Sequence, residues 1–213
     1  MLIIPEIETV VILPPRTGTG SLYRAVLAAY PLAFMPYRHM EADGVPFGYD
    51  RWRRIGVLRH PMSRLLSLFK YLQSFGDDHQ AHGHFESYYR SRKESVEGKT
   101  FAQWVLTNEL PFSVHVDDRG TVRPLFMQNH MMAENRKSQF YYLRPDLGVE
   151  IVPYTPDGSA ISRELGITVG HTNNVTGGGG NPDHRIAEKI QDHLELFHGW
   201  DLEECAKRGI RVG

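Results

Sequence analysis

The residues with the clearest chemical potential lie at positions 16–21, where the chain reads Arg-Thr-Gly-Thr-Gly-Ser. This segment combines one permanent cation with three hydroxyl groups and two glycines, which let a backbone approach a ligand closely. A helix beginning here would have unpaired N–H groups at its first turn, and its dipole would add positive potential. The segment therefore predicts an anion site, with phosphate as a preferred ligand. The simpler alternative is an ordinary capped connection between a strand and a helix.

The flanking residues supply the elements that would position this segment. Residues 10–13 form a short apolar run typical of a buried strand, and two prolines end it. Apolar residues then recur between positions 22 and 29 at spacings of four and three, the period of a helix face. A nucleoside-triphosphate loop would read G-x-x-x-x-G-K-[ST], but here the first glycine and the lysine before Ser21 are missing. The pattern thus predicts strand, turn and helix around a site for a different phosphate ligand.

A second strand–turn–helix connection follows at positions 55–72, and the two connections are called joints below. An apolar run at 55–58 predicts a strand, and Pro61 suits the first turn of a helix with apolar residues at 65, 68, 69 and 72. The carboxyl ends of parallel strands meet at one edge of a sheet, where ligands bind. We therefore expect Arg59 and Ser67 to lie near the 16–21 turn.

The rest of the chain predicts an α/β fold in which a central, mostly parallel sheet is flanked by helices. Further strands are expected at 32–35, 140–143 and 149–152, and helices at about 101–108, 125–134, 159–165 and 182–198, with Gly166 ending the third of these. Residues 76–99 are polar and predict a surface insertion. The four glycines at 177–180 form either a flexible linker or a loop that closes over a ligand. At 213 residues, a single domain spanning 1–213 is expected.

Composition narrows the class of protein. Apolar residues make up 41% and charged residues 23% of the chain, which fits a soluble globular protein. The formal net charge of −1 gives no indication of a nucleic-acid partner. The sequence has no apolar run that could span a bilayer and no secretory signal, and its single cysteine suits a reducing, cytoplasmic compartment. Three histidines at 79, 82 and 84 lack further ligands at suitable spacing, so no metal is expected.

The two joints together resemble the sulfotransferases that use 3′-phosphoadenosine 5′-phosphosulfate as sulfuryl donor. The first joint of that family reads P-K-x-G-T-T-S-L, and residues 15–22 read Pro-Arg-Thr-Gly-Thr-Gly-Ser-Leu. The second reads R-[ND]-P and then R-x-x-S-x-[YF], which Arg-His-Pro at 59–61 and Arg-Leu-Leu-Ser-Leu-Phe at 64–69 resemble. The similarity covers residues 10–72 and is greatest to the carbohydrate and bacterial branches. It implies a three-layer, P-loop-like fold.

The resemblance also implies a role for each matched position. The 3′-phosphate of the donor would be held by Arg59 and Ser67, and the 5′-phosphosulfate by the first motif. The residues of that motif are Arg16, Thr17, Gly18, Thr19, Gly20, Ser21 and Leu22. Two separate phosphate groups call for two separate donor clusters, and arginine suits phosphate oxygens. The implied enzyme transfers a sulfuryl group in line to a hydroxyl of a sugar or small alcohol, releases adenosine 3′,5′-bisphosphate and needs no metal.

Such a transfer needs a general base for the acceptor hydroxyl. His39 is the first candidate, because imidazole titrates near neutral pH and many members of the family place a histidine just beyond their second strand. Glu41 is the alternative, because some carbohydrate sulfotransferases use a glutamate. Arg16 is the candidate on the leaving-group side, where it would neutralise developing charge.

Three positions depart from the family pattern. Arg16 stands where lysine is usual, and arginine donates hydrogen bonds but cannot share a proton with the leaving oxygen as lysine can. Gly20 replaces a threonine, and His60 replaces asparagine or aspartate. These departures leave open a non-catalytic nucleotide-binding module of the same fold. A degenerate P-loop kinase is a further alternative, against which the missing lysine argues.

Overall fold

Four short runs of apolar residues pair into one sheet in the computed structural model, which describes residues 1–36, 38–73, 96–106, 138–169 and 184–212. The strands lie side by side in chain order, and the first is antiparallel to the second while the other neighbours are parallel. They are β1 (Leu2–Ile4), β2 (Thr9–Ile12), β3 (Arg53–Leu58) and β4 (Glu150–Pro153). The predicted α/β class with a mostly parallel sheet is confirmed.

Helices connect and cover the strands in the described residues. They are α1 (Thr19–Ala29), α2 (Pro61–Gln73), α3 (Phe101–Leu106), α4 (Phe140–Leu143), α5 (Ser159–Leu165) and α6 (His184–Lys207), with short 3-10 turns at Pro5–Ile7, Ala42–Gly44 and Pro145–Leu147. None of these helices combines the length and the apolar character that crossing a bilayer requires.

Alternation along the strands sends apolar side chains to both faces of the sheet. On one face, Val10, Ile12, Leu58 and Ile151 pack with side chains of α4 and with Cys205 of α6. On the other face, Val11, Ile55, Val57 and Val152 pack with α1 and α5. Gly56 allows the close approach of α4, since an added Cβ would lie 2.5 Å from Leu143 Cδ2. Helices thus cover the sheet on both sides.

A third apolar cluster holds α2 in place. Leu68 and Leu72 of α2 pack with Trp104 of α3 and with Ile190 and Leu194 of α6. All five side chains are almost completely buried. This packing fixes the helix that carries Ser67 relative to the sheet.

The predicted strands at 10–13, 55–58 and 149–152 are confirmed, as is the helix at 159–165, which Gly166 ends in a left-handed conformation with φ of 63°. The strand predicted at 32–35 is wrong. Phe34 forms only an isolated bridge to Ile3, because β1 is the strand that occupies this edge of the sheet.

The strand predicted at 140–143 is also wrong, since these residues form α4. A short apolar run fits a strand or a buried helical turn equally well. Here Asp201 accepts hydrogen bonds from the backbone N–H groups of Gln139 and Phe140, which satisfies donors at the start of the helix. The C-terminal helix reaches Lys207 instead of ending at His198, where it is kinked by non-helical angles.

Several sequence predictions lie outside the described residues. They are the helix at 125–134, the histidines at 79, 82 and 84, the glycines at 177–180 and most of the 76–99 insertion.

Candidate functional site

Three parallel neighbours, β2, β3 and β4, end at the same edge of the sheet. Arg59 and Tyr154 are the first residues after β3 and β4, and Arg16 lies in the turn after β2. Arg59 Nη1 donates a hydrogen bond of 2.9 Å to the carbonyl oxygen of Arg16, and its guanidinium lies 4.6 Å from the ring centroid of Tyr154. The carboxyl edge thus brings together two arginines and an aromatic ring.

Arg16 links the two joints that the sequence predicted to be neighbours. Its backbone has φ of 69°, a left-handed conformation that is uncommon outside glycine. Its Nε donates to Ser67 Oγ at 3.2 Å, and its guanidinium lies 4.4 Å from the ring centroid of Tyr71. The expected proximity of Arg59 and Ser67 to the first turn is observed. The two clusters of hydrogen-bond donors were expected to be separate, but they are in contact, because the Arg16 side chain of the first joint reaches Ser67 of the second.

Burial acts on both guanidinium groups. Burial lowers the pKa of Arg16 and of Arg59, the nearby tyrosine rings act in the opposite direction, and the charge of Arg59 further lowers the pKa of Arg16. Among the described residues, neither side chain has a carboxylate within ion-pair distance. Arginine nevertheless stays protonated, and a partly buried cation without a counter-charge is costly. The arrangement therefore favours an anionic ligand.

The start of α1 lies beside these cations. Gly18 caps the helix with φ of 82°, and an added Cβ there would lie 3.5 Å from Tyr154 Cε2. The hydroxyl of Thr17 donates to the carbonyl oxygen of Pro14 at 2.7 Å and so stabilises the turn itself. The hydroxyl of Thr19 is buried and has no hydrogen-bond partner in the described part of the chain. A buried orphan hydroxyl at a helix N-terminus suits a ligand oxygen.

The remaining residues of the first motif differ in exposure. Gly20 is exposed, and an added Cβ there would meet no atom within 4 Å, so its backbone borders open space. Ser21 is half-buried. Leu22 is buried in the core beneath the turn, with 2% of its surface exposed. Its side chain therefore anchors α1 to the sheet.

His39 lies beside the strand end that leads into the first turn. Its Nδ1 is 2.9 Å from the carbonyl oxygen of Leu13, the residue that follows β2. A carbonyl oxygen only accepts, so Nδ1 carries the proton and the neutral ring has its lone pair at Nε2. This is the tautomer that a general base at Nε2 requires.

Glu41 has a different environment. Its side chain is completely buried, and its sequence neighbours Met40 and Ala42 belong to the core beneath one face of the sheet. The pKa of Arg144 is raised mainly by its hydrogen bond to Asp146, and Glu41 adds a smaller effect. His39 is only half-buried. An acceptor from solvent therefore reaches His39 more readily than Glu41.

Sequence reasoning missed four residues of this edge: Tyr71, Tyr154, Gln139 and Asp201. The strand-end rule that selected Arg59 would also have selected Tyr154, which lies two residues after the strand predicted at 149–152. Tyr71 lies one helical turn after Ser67, so the spacing of a helix face would have identified it as a neighbour of Ser67. Gln139 and Asp201 carried no sequence signal, because they reach the site through the tertiary fold alone.

Comparisons of the chain with protein-family models, with curated proteins and with solved structures give no match. The sequence motifs and the geometry of the carboxyl edge are therefore the features that indicate a function. That geometry consists of two partly buried cations, a helix N-terminus with an orphan hydroxyl, and a histidine in a defined tautomer.

Proposed function

We propose that this chain is a sulfotransferase with a P-loop-like fold, which takes 3′-phosphoadenosine 5′-phosphosulfate as donor and a hydroxyl of a sugar or small alcohol as acceptor. The observation that carries the proposal is the pair Arg16 and Arg59. The two guanidiniums are partly buried at the carboxyl edge of three parallel strands, with no carboxylate partner among the described residues. Such a pair suits a ligand with several anionic groups.

The hydrogen-bonding groups at this edge of the sheet suit a ligand with several anionic groups. Thr19 has a buried hydroxyl without a partner, and the backbone at Gly20 borders open space. Ser67 Oγ accepts from Arg16, so its own hydrogen is not used in that contact. The phosphosulfate would be held by residues 16–22 and the 3′-phosphate by Arg59 and Ser67. When bound, 3′-phosphoadenosine 5′-phosphosulfate would supply the sulfuryl group and a bisphosphate leaving group.

The protein residues would contribute positioning, charge and a base. Arg16 and the first N–H groups of α1 would stabilise the negative charge that develops on the leaving group. His39 would accept the proton of the acceptor hydroxyl at Nε2, while its Nδ1–H stays bound to Leu13. The acceptor oxygen forms its bond to sulfur as the bond to the bridging oxygen breaks.

A non-catalytic nucleotide-binding module is the second candidate, and the environment of Arg16 favours it. This arginine cannot donate a proton to a leaving oxygen, and its guanidinium is engaged by Ser67 and Tyr71. Turnover of radiolabelled donor against a panel of hydroxyl acceptors distinguishes the two candidates. Binding without turnover across the panel would favour the binding module.

The first prediction concerns ligand preference. Adenosine 3′,5′-bisphosphate at a hundred times its Kd is expected to stabilise the fold by about 2.7 kcal/mol, because it binds only the native state. ATP with Mg²⁺ is expected to give a smaller shift in a parallel thermal-unfolding experiment. A larger shift with ATP and Mg²⁺ would contradict the sulfotransferase proposal and favour the kinase.

The second prediction concerns Arg59. Arg59→Ala is expected to raise the Kd for adenosine 3′,5′-bisphosphate by about 10- to 100-fold, the size expected for loss of a charged hydrogen bond to phosphate. The free energy of unfolding should fall little, because a partly buried cation without a carboxylate partner is removed. Calorimetry measures the Kd, and urea unfolding measures the free energy of unfolding.

Arg24→Ala is the matched control, since Arg24 is an exposed arginine on α1. It removes the same charge from the protein and should leave the affinity nearly unchanged. Equal losses of affinity in both variants would show that net charge, and not a site at Arg59, attracts the ligand.

A further inference from the structure

The peptide groups of Arg59 are bound by the side chain of Gln139, a residue 80 positions away. Gln139 Oε1 accepts from the backbone N–H of Arg59 at 3.0 Å, and Gln139 Nε2 donates to the carbonyl oxygen of Arg59 at 2.6 Å. The side-chain amide of Gln139 thereby pairs with the backbone of Arg59 as a residue of a neighbouring strand would, directly after the end of β3. On the other side, Tyr154 N–H donates to the carbonyl oxygen of Leu58 at 2.7 Å. The backbone that leads into Arg59 is thus held from both sides.

Asp201 of α6 fixes Gln139 in turn. Its carboxylate accepts from the backbone N–H of Gln139 at 3.0 Å, from Ser138 Oγ at 2.7 Å and, at 3.4 Å, from Gln139 Nε2. Gln139 and Asp201 are both completely buried. Burial opposes ionisation of Asp201, but the hydrogen bond from His198 and the nearby charge of Arg64 outweigh it and hold the pKa of Asp201 below its usual value.

The orientation of the Gln139 amide follows from these partners. Oε1 must face the N–H of Arg59, because that group only donates, and Nε2 must face the carbonyl oxygen of Arg59 and the carboxylate of Asp201, because those groups only accept. All three contacts agree on one orientation. The amide therefore has a single favourable arrangement, and that arrangement fixes the backbone of Arg59.

We propose that Gln139 is a positioning residue for Arg59, and that Asp201 holds it in that role. The inference rests on the proposed function in that Arg59 is taken to bind an anionic group of the ligand. A fixed backbone keeps the guanidinium beside Tyr154 before the ligand arrives. Less conformational entropy is then lost on binding, and the affinity is higher.

Gln139→Met tests the proposal, since it keeps the approximate size of the side chain and removes both hydrogen bonds to Arg59. We expect the Kd for adenosine 3′,5′-bisphosphate to rise about tenfold, measured by calorimetry well below the unfolding temperature. Combined with Arg59→Ala, the substitution should cause no further loss, because the residue acts through Arg59. Gln191→Met, at an exposed glutamine of α6, is the matched control and should leave the Kd unchanged.

Gln139→Glu provides a variant in which the lost contact can be restored. The new carboxyl group accepts from the N–H of Arg59 at any pH, but donates to the carbonyl oxygen only when it is protonated. Relative to wild type at each pH, the affinity should therefore recover as the pH is lowered from about 8 to about 6, since burial beside Asp201 favours the protonated form. A ratio that does not change with pH would contradict the role of the donated hydrogen bond.

Hydrogen exchange at the amide of Arg59 separates this proposal from the proposed function. Loss of the Gln139 acceptor should accelerate exchange at that amide in Gln139→Met whether or not a nucleotide binds. If wild-type protein does not bind the bisphosphate, the proposed function fails, and titration with inorganic sulfate, followed at the Arg59 resonances, becomes the binding readout. Folded Gln139→Met with wild-type affinity, or with unchanged exchange at Arg59, would overturn the proposal.

Discussion

Replacing His39 by alanine is expected to lower the rate of sulfuryl transfer by about 10²- to 10⁴-fold, the range typical of a lost general base. The Kd for adenosine 3′,5′-bisphosphate should stay close to the wild-type value. The reason is geometric, since the Nδ1–H of His39 donates to the carbonyl oxygen of Leu13, which places the lone pair of the neutral ring at Nε2. Single-turnover kinetics with radiolabelled donor measure the rate, and calorimetry measures the affinity.

His39→Asn is the sharper variant. The backbone of His39 has φ of 59°, a left-handed conformation that asparagine tolerates better than alanine does. The asparagine amide can also donate to Leu13, so the turn is retained while the base is lost. Its rate should therefore fall as far as that of His39→Ala, with less loss of stability. Unchanged turnover in both variants would show that His39 is not the base and would direct the search to Glu41.

Asp201→Ala is expected to reduce the free energy of unfolding by about 3–5 kcal/mol, the cost typical of breaking a buried charged network. The carboxylate of Asp201 accepts hydrogen bonds from Ser138, Gln139 and Phe140, and it opposes the effect of burial on the charge of Arg64. Its removal takes the acceptor from the Ser138 hydroxyl and from the Gln139 N–H in a buried region, whereas the Phe140 N–H keeps Ser138 Oγ as an acceptor. Urea unfolding followed by circular dichroism measures the loss.

Asp192→Ala is the control for this variant, because Asp192 is an exposed aspartate on the same helix. Its expected effect on stability is below about 0.5 kcal/mol. The pKa of Asp201 lies below the usual value of 3.8, so its contribution is present above that pH and is lost as the pH falls through the lowered pKa. A loss in Asp201→Ala as small as that in Asp192→Ala would contradict the structural role of this network.

The two strand–helix joints were predictable because their signals are local. Residues 10–29 and 55–72 carry the apolar run, the turn residues and the helical period within about twenty positions. Parallel pairing then sends both strand ends to one edge. That rule was enough to predict that Arg59 and Ser67 meet the first turn.

The errors of the sequence prediction lie where local signals were ambiguous or distant contacts decided the outcome. Residues 140–143 form a helix, and Asp201, about sixty residues later in the chain, accepts from the N–H groups of Gln139 and Phe140 at its start. The three residues of β1 are too few to show an alternation, although all of them are completely buried. The helix predicted to end at 198 continues past a kink at His198.

The sequence alone thus determined the chemistry of the site: a permanent cation, hydroxyl groups and glycines at a strand–helix turn, with a second arginine at the next strand end. Only the tertiary structure decided how these groups are held. It stacks Arg16 on Tyr71 and Arg59 on Tyr154, and it fixes the backbone of Arg59 with Gln139. The physical reason is that residue types and local spacing fix which hydrogen bonds and charges a segment can offer, whereas burial and partners depend on chain segments far away in the sequence.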